Sequence, residues 1–301
     1  MTATFTLAHF SDVHLPPVSG FTWRYWNAKR LLGYLNWQRK RRHVHFAEVA
    51  DRLIADAHAL RTDHIVITGD LVNLGLPAEH EAALAWLRRV GPPGRVTVIP
   101  GNHDIYSHMH GDRGVARWAE YMDAEEETLA FPFVRRIGSL ALIGLNSAVE
   151  TPPFVASGLL GARQIEIARE QLARLGQEGA VRVVLIHHPP LAGMTTSRRS
   201  LRDAAHFVHL LEREGAELVI YGHNHTPAVD WLPAREKPVP LVAAASASAG
   251  AALGDEPLAR YNLFTFFDTP NGLRIRHVVR GLETPEGPVV KLSEDVLEKL
   301  D

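Results

Sequence analysis

Carboxylate, amide and imidazole side chains recur in five short segments of this chain: Asp12-Val13-His14, Gly69-Asp70, Gly101-Asn102-His103-Asp104, His187-His188-Pro189-Pro190 and Gly222-His223-Asn224-His225. Together they offer hard oxygen and borderline imidazole donors and no thiolate. That mixture suits two adjacent first-row ions better than one structural zinc. Two ions held close together are a device for attacking a phosphate ester with a hydroxide that bridges them. The chemistry expected is hydrolysis of phosphate esters.

Spacing suggests roles. Residues two apart in an extended chain face the same side, so Asp12 and His14 are expected to face one cation, and His223 and His225 to straddle the pair. Asp70 follows Gly69, which permits a tight turn, and a carboxylate there can place one oxygen on each ion. Asn102 offers a neutral oxygen that leaves its metal electrophilic. His103 is expected beside the substrate as proton donor to the leaving oxygen. Asp104 is better suited to binding backbone amides or orienting a ligand than to binding metal.

These side chains need strand ends to hold them. Apolar, β-rich runs over 5–10, 64–68, 95–99, 140–145, 181–186 and 217–221 alternate with helical spacing over 46–60, 78–90, 163–175 and 201–214. Four further strands are expected over 228–232, 239–245, 262–267 and 273–279, with Asn271-Gly272 as the last hairpin turn. The order predicts an α/β fold: a four-layer αββα sandwich of two mixed sheets flanked by helices, read as a single domain over 1–301. Each motif follows a strand, and ligands in open α/β sheets bind beyond the carboxyl ends of strands. All five are therefore expected on one edge of one sheet.

The 301 residues carry 46% hydrophobic and 22% charged side chains, as in ordinary globular proteins. A net charge of −2 provides no global attraction to nucleic acid or anionic membrane. The absence of cysteine excludes disulfides, iron–sulfur clusters and thiolate zinc sites. No basic, apolar leader opens the sequence and no apolar run is long enough to span a bilayer, so a cytoplasmic location is expected.

The five blocks, and the run Ile67-Thr68-Gly69-Asp70-Leu71-Val72-Asn73 in particular, resemble the calcineurin-like metallophosphoesterase superfamily from residue 5 to about 230. Within it they resemble the bacterial branch of cyclic-nucleotide phosphodiesterases and glycerophosphodiesterases. The resemblance implies one metal on Asp12, His14, Asp70 and His225, and a second on Asp70, Asn102, His187 and His223. It implies manganese, iron or zinc as the two divalent or trivalent ions, and a small phosphodiester as substrate. Its His-x-Pro pattern selects His187 as the ligand and leaves His188 to hold a ligand or touch substrate.

Other residues read more plainly. His9 is expected to buttress the site or core, and His108 and His110 to be solvated loop residues. Arg135-Arg136 and Arg198-Arg199 read as solvated, although the second pair lies close enough to His187-His188 to line a pocket. The Ala/Ser/Gly-rich stretch 243–253 suggests close packing near the site mouth.

Residues 21–45 depart from the branch pattern, being rich in aromatic and basic side chains and lacking acidic ones. Leu31, Leu32, Leu35 and Trp37 form no long amphipathic stripe, which favours a cap packed on the body over a membrane-contacting helix. This segment nevertheless leaves lipid contact open, and with it an alternative: a pyrophosphatase of a nucleotide-linked lipid precursor of the UDP-diacylglucosamine type. A nuclease is disfavoured by the balanced charge. A non-catalytic scaffold is disfavoured by the complete donor set. Self-association through the C-terminal strands is left open.

Overall fold

The structure, a computed structural model, describes residues 3–107, 111–124, 129–270 and 272–298. His108, His110 and Asn271 lie outside the described residues.

Strand β1 (Ala3–Phe10) leads into an inserted segment holding helix α1 (Ala28–Arg39), followed by α2 (Ala47–Ala59), β2 (His64–Ile67), α3 (Pro77–Val90) and β3 (Val96–Val98). Next come β4 (Phe133–Ile137), β5 (Leu140–Gly144), α4 (Ala162–Gln177), β6 (Val181–Leu185), α5 (Ala204–Glu214) and β7 (Leu218–Tyr221). Five strands close the chain: β8 (Ala228–Leu232), β9 (Val239–Ala243), β10 (Arg260–Thr269), β11 (Gly272–Leu282) and β12 (Val289–Val296).

The strands form two mixed six-stranded sheets, ordered β12-β11-β10-β1-β2-β3 and β4-β5-β6-β7-β9-β8. In the first, β1, β2 and β3 run parallel, and β10 pairs antiparallel with β1. In the second, β5, β6, β7 and β9 run parallel between antiparallel edges. The four-layer sandwich expected from the sequence is present. The placement of every motif on one sheet is not: three follow β1, β2 and β3, and two follow β6 and β7 of the other sheet. Strand ends of both sheets meet at one rim.

Side-chain alternation sets the layers. Leu142, Leu185, Leu218 and Ile220 join the core shared with the first sheet. Their neighbours Ala141, Ile143, Val184 and Val219 pack under α4 and α5 through Leu172, Leu175, Phe207 and Leu211. Strands buried on both faces read as apolar runs, which is why Ile65–Ile67 of β2, Val183–Leu185 of β6 and all of β7 stand out in the sequence. Helix α2 buries Val49, Ala50, Leu53, Ile54 and Ala57 as one stripe.

Three local differences have clear causes. Helix α5 begins at Ala204 rather than 201, because the Asp203 carboxylate accepts the amides of Leu160 and Gly161 instead of continuing a turn. Strand β4 was not expected. Its Arg135 is buried, not solvated, and donates to the Val96 carbonyl (2.7 Å) and to Thr97 Oγ1 (3.0 Å), tying one sheet to the other. Arg136 does lie at the surface, paired with Glu178. Among the described residues, no helix is long and apolar enough to cross a membrane.

Candidate metal centre

The loops after β1 and β2 zip together: Asp12 N donates to Gly69 O (3.0 Å), His14 N to Asp70 O (2.9 Å) and Leu15 N to Leu71 O (2.8 Å). These loops are not extended, contrary to the spacing argument. Asp12, His14, Asp70, His223 and His225 all have φ between 43° and 72°, five of the eight described non-glycine residues with positive φ. Such backbone is disfavoured for side-chain-bearing residues and concentrates at functional sites. Close approach needs glycine here. A Cβ on Gly101 would collide with the Asp70 carboxylate, and one on Gly222 with Ser11.

Asp104 holds the turn. Its Oδ2 accepts the amides of Asp70 and Gly101, both at 2.8 Å, and its Oδ1 those of Leu71 (2.9 Å) and Val72 (3.1 Å). Burial, then the nearby Asp70 charge, pushes its carboxyl up to about 7, while the amides pull the other way. The amide-binding role expected for Asp104 is what the geometry shows.

Seven side chains converge in two groups that share Asp70. In the first, His14 Nε2 lies 3.8 Å from Asp70 Oδ2, 4.0 Å from Asp12 Oδ1 and 3.2 Å from His225 Nε2, and His225 Nε2 is 3.3 Å from Asp12 Oδ1. In the second, His187 Nε2 lies 3.5 Å from Asp70 Oδ2, 3.2 Å from Asn102 Oδ1 and 3.3 Å from His223 Nδ1, which is 2.8 Å from Asn102 Oδ1. Asp12, His14 and Asp70 are among the groups spaced to hold a metal ion.

The outward ring nitrogens define which lone pairs face inward. His14 Nδ1–H can donate to Val72 O (3.2 Å), His187 Nδ1–H to Thr68 O (2.7 Å) and His225 Nδ1–H to Glu256 Oε2 (2.8 Å). Each leaves an Nε2 lone pair aimed into the cluster, the arrangement that metal-binding histidines adopt. The Nε2 lone pairs of His14 and His225, 3.2 Å apart, repel unless a proton or cation lies between them. Buried Asp12 Oδ1 has no well-aligned hydrogen bond among the described residues, and the nitrogen facing it is His225 Nε2 at 3.3 Å. The donor set fits a pair of first-row ions.

Electrostatics agree. Burial, then Arg41, holds His14 well below its ordinary value, and burial, then His188 and His187, does the same to His223, so both rings stand neutral. Burial also opposes charge on His187 and His225, but Asp70 beside the first and Asp12 beside the second outweigh it and raise both rings to about 9. Those two protons occupy positions that a cation would take.

Around the cluster, His9 Nε2 meets Thr68 Oγ1 at 2.9 Å, buttressing the site. His188 is fully buried, bonded to Ser147 Oγ (2.8 Å) and the Ala156 carbonyl (3.1 Å), with its ring 4.5 Å from that of His223. It holds a neighbour rather than reaching solvent. The stretch 243–249 packs on the first motif, with Ser246 Oγ donating to the Asp12 carbonyl (2.7 Å).

A cavity of about 270 Å³ opens over the cluster, lined among others by Arg41, His45, His103, Arg199, Leu253 and Glu256. His103 is half-buried, its Nδ1 2.5 Å from the Asn73 carbonyl and its ring edge-on to His14 at 5.0 Å. Burial, then the Arg41 cation, holds it down at about 3, so it too stands neutral. Arg199 donates to the His223 carbonyl at 2.7 Å, so this half of its arginine pair does line the pocket.

Sequence reasoning missed Arg41, His45 and Glu256. Arg41 stands within 3.4 Å of ring nitrogens of both His14 and His103, with no carboxylate partner among the described residues. His45, bonded to Ser248 Oγ at 2.9 Å, lies with His14 and His225 in a second group spaced for a metal. One basic residue in the run Arg39-Lys40-Arg41-Arg42 carries no mark that distinguishes it from its neighbours. Nor does Glu256, whose partner His225 is 31 positions away.

Residues 5–227 match the family model described as calcineurin-like phosphoesterase, and the chain belongs to that family. It is 28% identical over 168 residues to a probable cyclic nucleotide phosphodiesterase of Psychrobacter arcticus, covering 55% of this chain and 58% of that protein. It is 27% identical over 230 residues to a cAMP/cGMP dual specificity phosphodiesterase of Mycobacterium tuberculosis, covering 73% and 62%. These alignments thus span about three-fifths of each relative. Among solved structures, a dimetal phosphatase from Danio rerio superposes with a TM-score of 0.62 at 11% identity, covering 97% of this chain and 99% of that one. Purple acid phosphatase from yellow lupin gives 0.59 at 15% identity, covering 97% and 53%. At such identities the likeness is one of fold.

Proposed function

We propose that this chain is a dinuclear metal-dependent phosphodiesterase acting on a small phosphodiester, a cyclic nucleotide or a glycerophosphodiester. The observation that carries the reading is the pair of buried donor groups sharing Asp70, whose imidazole nitrogens and carboxylate oxygens converge within 4.0 Å of one another. Asp12, His14, Asp70 and His225 would hold one ion, and Asp70, Asn102, His187 and His223 the other. Manganese, iron and zinc suit this mixture of oxygen and imidazole. When bound, two such ions supply Lewis acidity and activate water near neutral pH.

The remaining residues handle charge and protons. Arg41 and Arg199 line the cavity as cations that can bind non-bridging phosphoryl oxygens. His103 is oriented by Asn73, leaving Nε2 as the atom that serves the leaving oxygen. An anionic phosphoryl group beside this ring raises its proton affinity, so His103 takes up its proton as substrate arrives and passes it to the departing alkoxide. A cavity near 270 Å³ suits a small ester more than a polymer. The diester preference is supported by the names of the bacterial relatives.

The test is turnover of a chromogenic phosphodiester by protein of measured metal content. Wild type is expected to bind two ions and turn over. Asp70→Ala is expected to lose about 10³-fold or more, equivalent to about 4 kcal/mol of barrier, together with bound metal. His103→Ala should retain metal and lose about 10²-fold, more on a poor leaving group than on an activated one. A metal-loaded wild type that hydrolyses no phosphoester would overturn the reading.

A further inference from the structure

Helix α1 turns Tyr34 toward the apolar cluster of Leu74, Leu76 and Tyr106, but otherwise reverses the usual arrangement. Its one fully buried side chain is Arg30, 2% exposed, whose guanidinium donates to the carbonyls of Leu74 (3.3 Å) and Ser107 (2.8 Å). Lys29 also faces the body, bonded to Thr151 Oγ1 (2.9 Å) and lying 4.5 Å from the Tyr106 ring centroid. Leu31, Leu32 and Leu35, at i, i+1 and i+4, instead share the outer face and are 37–39% exposed. The same segment exposes Trp23 (84%) and Trp26 (60%). The three leucines therefore form a short apolar face, and Trp37 lies off it, against Tyr34, so the four side chains form no long stripe.

A helix packed on its own protein turns leucine inward and arginine outward. Reversal leaves leucine and tryptophan surface that folding covers only in part, and contiguous surface of this kind marks a contact site. The charge around it identifies the occupant. From residue 13 to residue 47 there are seven lysines and arginines and no aspartate or glutamate. Arg24, Arg39, Lys40 and Arg42 are exposed, and none has a carboxylate partner among the described residues. Tryptophan with leucine, rimmed by cations, is the composition that settles at a lipid headgroup boundary.

We propose that the outer face of the 21–45 segment docks on an anionic lipid bilayer. The tryptophans and leucines enter the boundary layer while the exposed cations meet lipid phosphates. Lys40, at the C-terminal cap of α1, also lines the cavity over the donor cluster, as does Asn36 within the helix, so docking holds the cavity mouth at the headgroup layer. This surface is independent of the diesterase reading, because none of its anchoring side chains belongs to the cluster.

The full chain is tested by sedimentation with vesicles of phosphatidylcholine alone and with equal parts phosphatidylglycerol. Binding is expected only with the anionic lipid, and raising salt should weaken it. The pair Trp23→Ala with Trp26→Ala, and separately Arg24→Glu with Arg39→Glu, should each lower partitioning about tenfold. Both should keep the wild-type melting curve and turnover of a soluble diester. Should the tryptophan pair disturb the melt, the charge-reversed pair carries the test. No partitioning onto anionic vesicles overturns the proposal, as does binding that both pairs leave intact. So does a wild-type dimer, seen by light scattering, that the tryptophan pair dissociates, since the occupant is then a second copy.

Discussion

The donor cluster and helix α1 both reverse the ordinary rule of apolar inside and polar outside, and each leaves a different demand outstanding. In the cluster, Asp104 takes four backbone amides, and His14, His187 and His225 each pass an outward proton to an oxygen. Its remaining demand is for positive charge in the middle. In α1 the buried Arg30 is likewise satisfied by carbonyls, yet the leucines opposite remain partly exposed. Burying polar groups is tolerable when each finds its hydrogen bond. Exposing apolar ones in a cluster is a demand on something outside the chain.

The contrast can be sharpened by pH. His187 and His225 bind their protons more tightly folded, at about 9, than at their ordinary 6.5. Their contribution to the metal-free fold is therefore whole below about pH 6.5 and gone once pH passes about 9. Bound metal must displace the same protons, so its affinity should rise up to about tenfold per pH unit for each proton released. The melting temperatures of loaded and stripped protein should diverge as pH rises through this window. A gap that stays constant with pH would break the account of the cluster.

A smaller effect is expected at the cluster's edge. Glu256→Gln removes the carboxylate that orients His225, and metal affinity should fall about 10- to 100-fold while the fold persists. Competition with a chelator reads this directly, and wild-type affinity would mean that Glu256 does not orient the ring. The smallest effect belongs to α1. Arg30→Met leaves the Leu74 and Ser107 carbonyls unpaired, costing about 1–3 kcal/mol. That loss should appear as faster protease cleavage within 21–45, with the main melting transition unmoved. A lowered main transition would show that the cap is part of the core.

How much of this could be read in advance depended on the range of each interaction. The strands carrying the motifs were legible because both of their faces are buried. Strand β12 was not, since it lies at a sheet edge with few buried side chains. Arg135 looked like any surface cation because the carbonyls it ties together belong to a distant strand.

The amino-acid sequence by itself determined the donor types, their order and their position after strands, because these follow from local pattern and side-chain chemistry. It also determined that 21–45 carries only positive charge. Only the tertiary structure decided that the motifs come from two sheets meeting at one rim, and that five donors sit in left-handed backbone. It likewise decided that Arg41 and Glu256 reach the cluster, and that α1 turns its leucines outward. Those outcomes depend on contacts between residues far apart in the chain, 211 positions for His14 with His225, and no local pattern encodes which distant groups will meet.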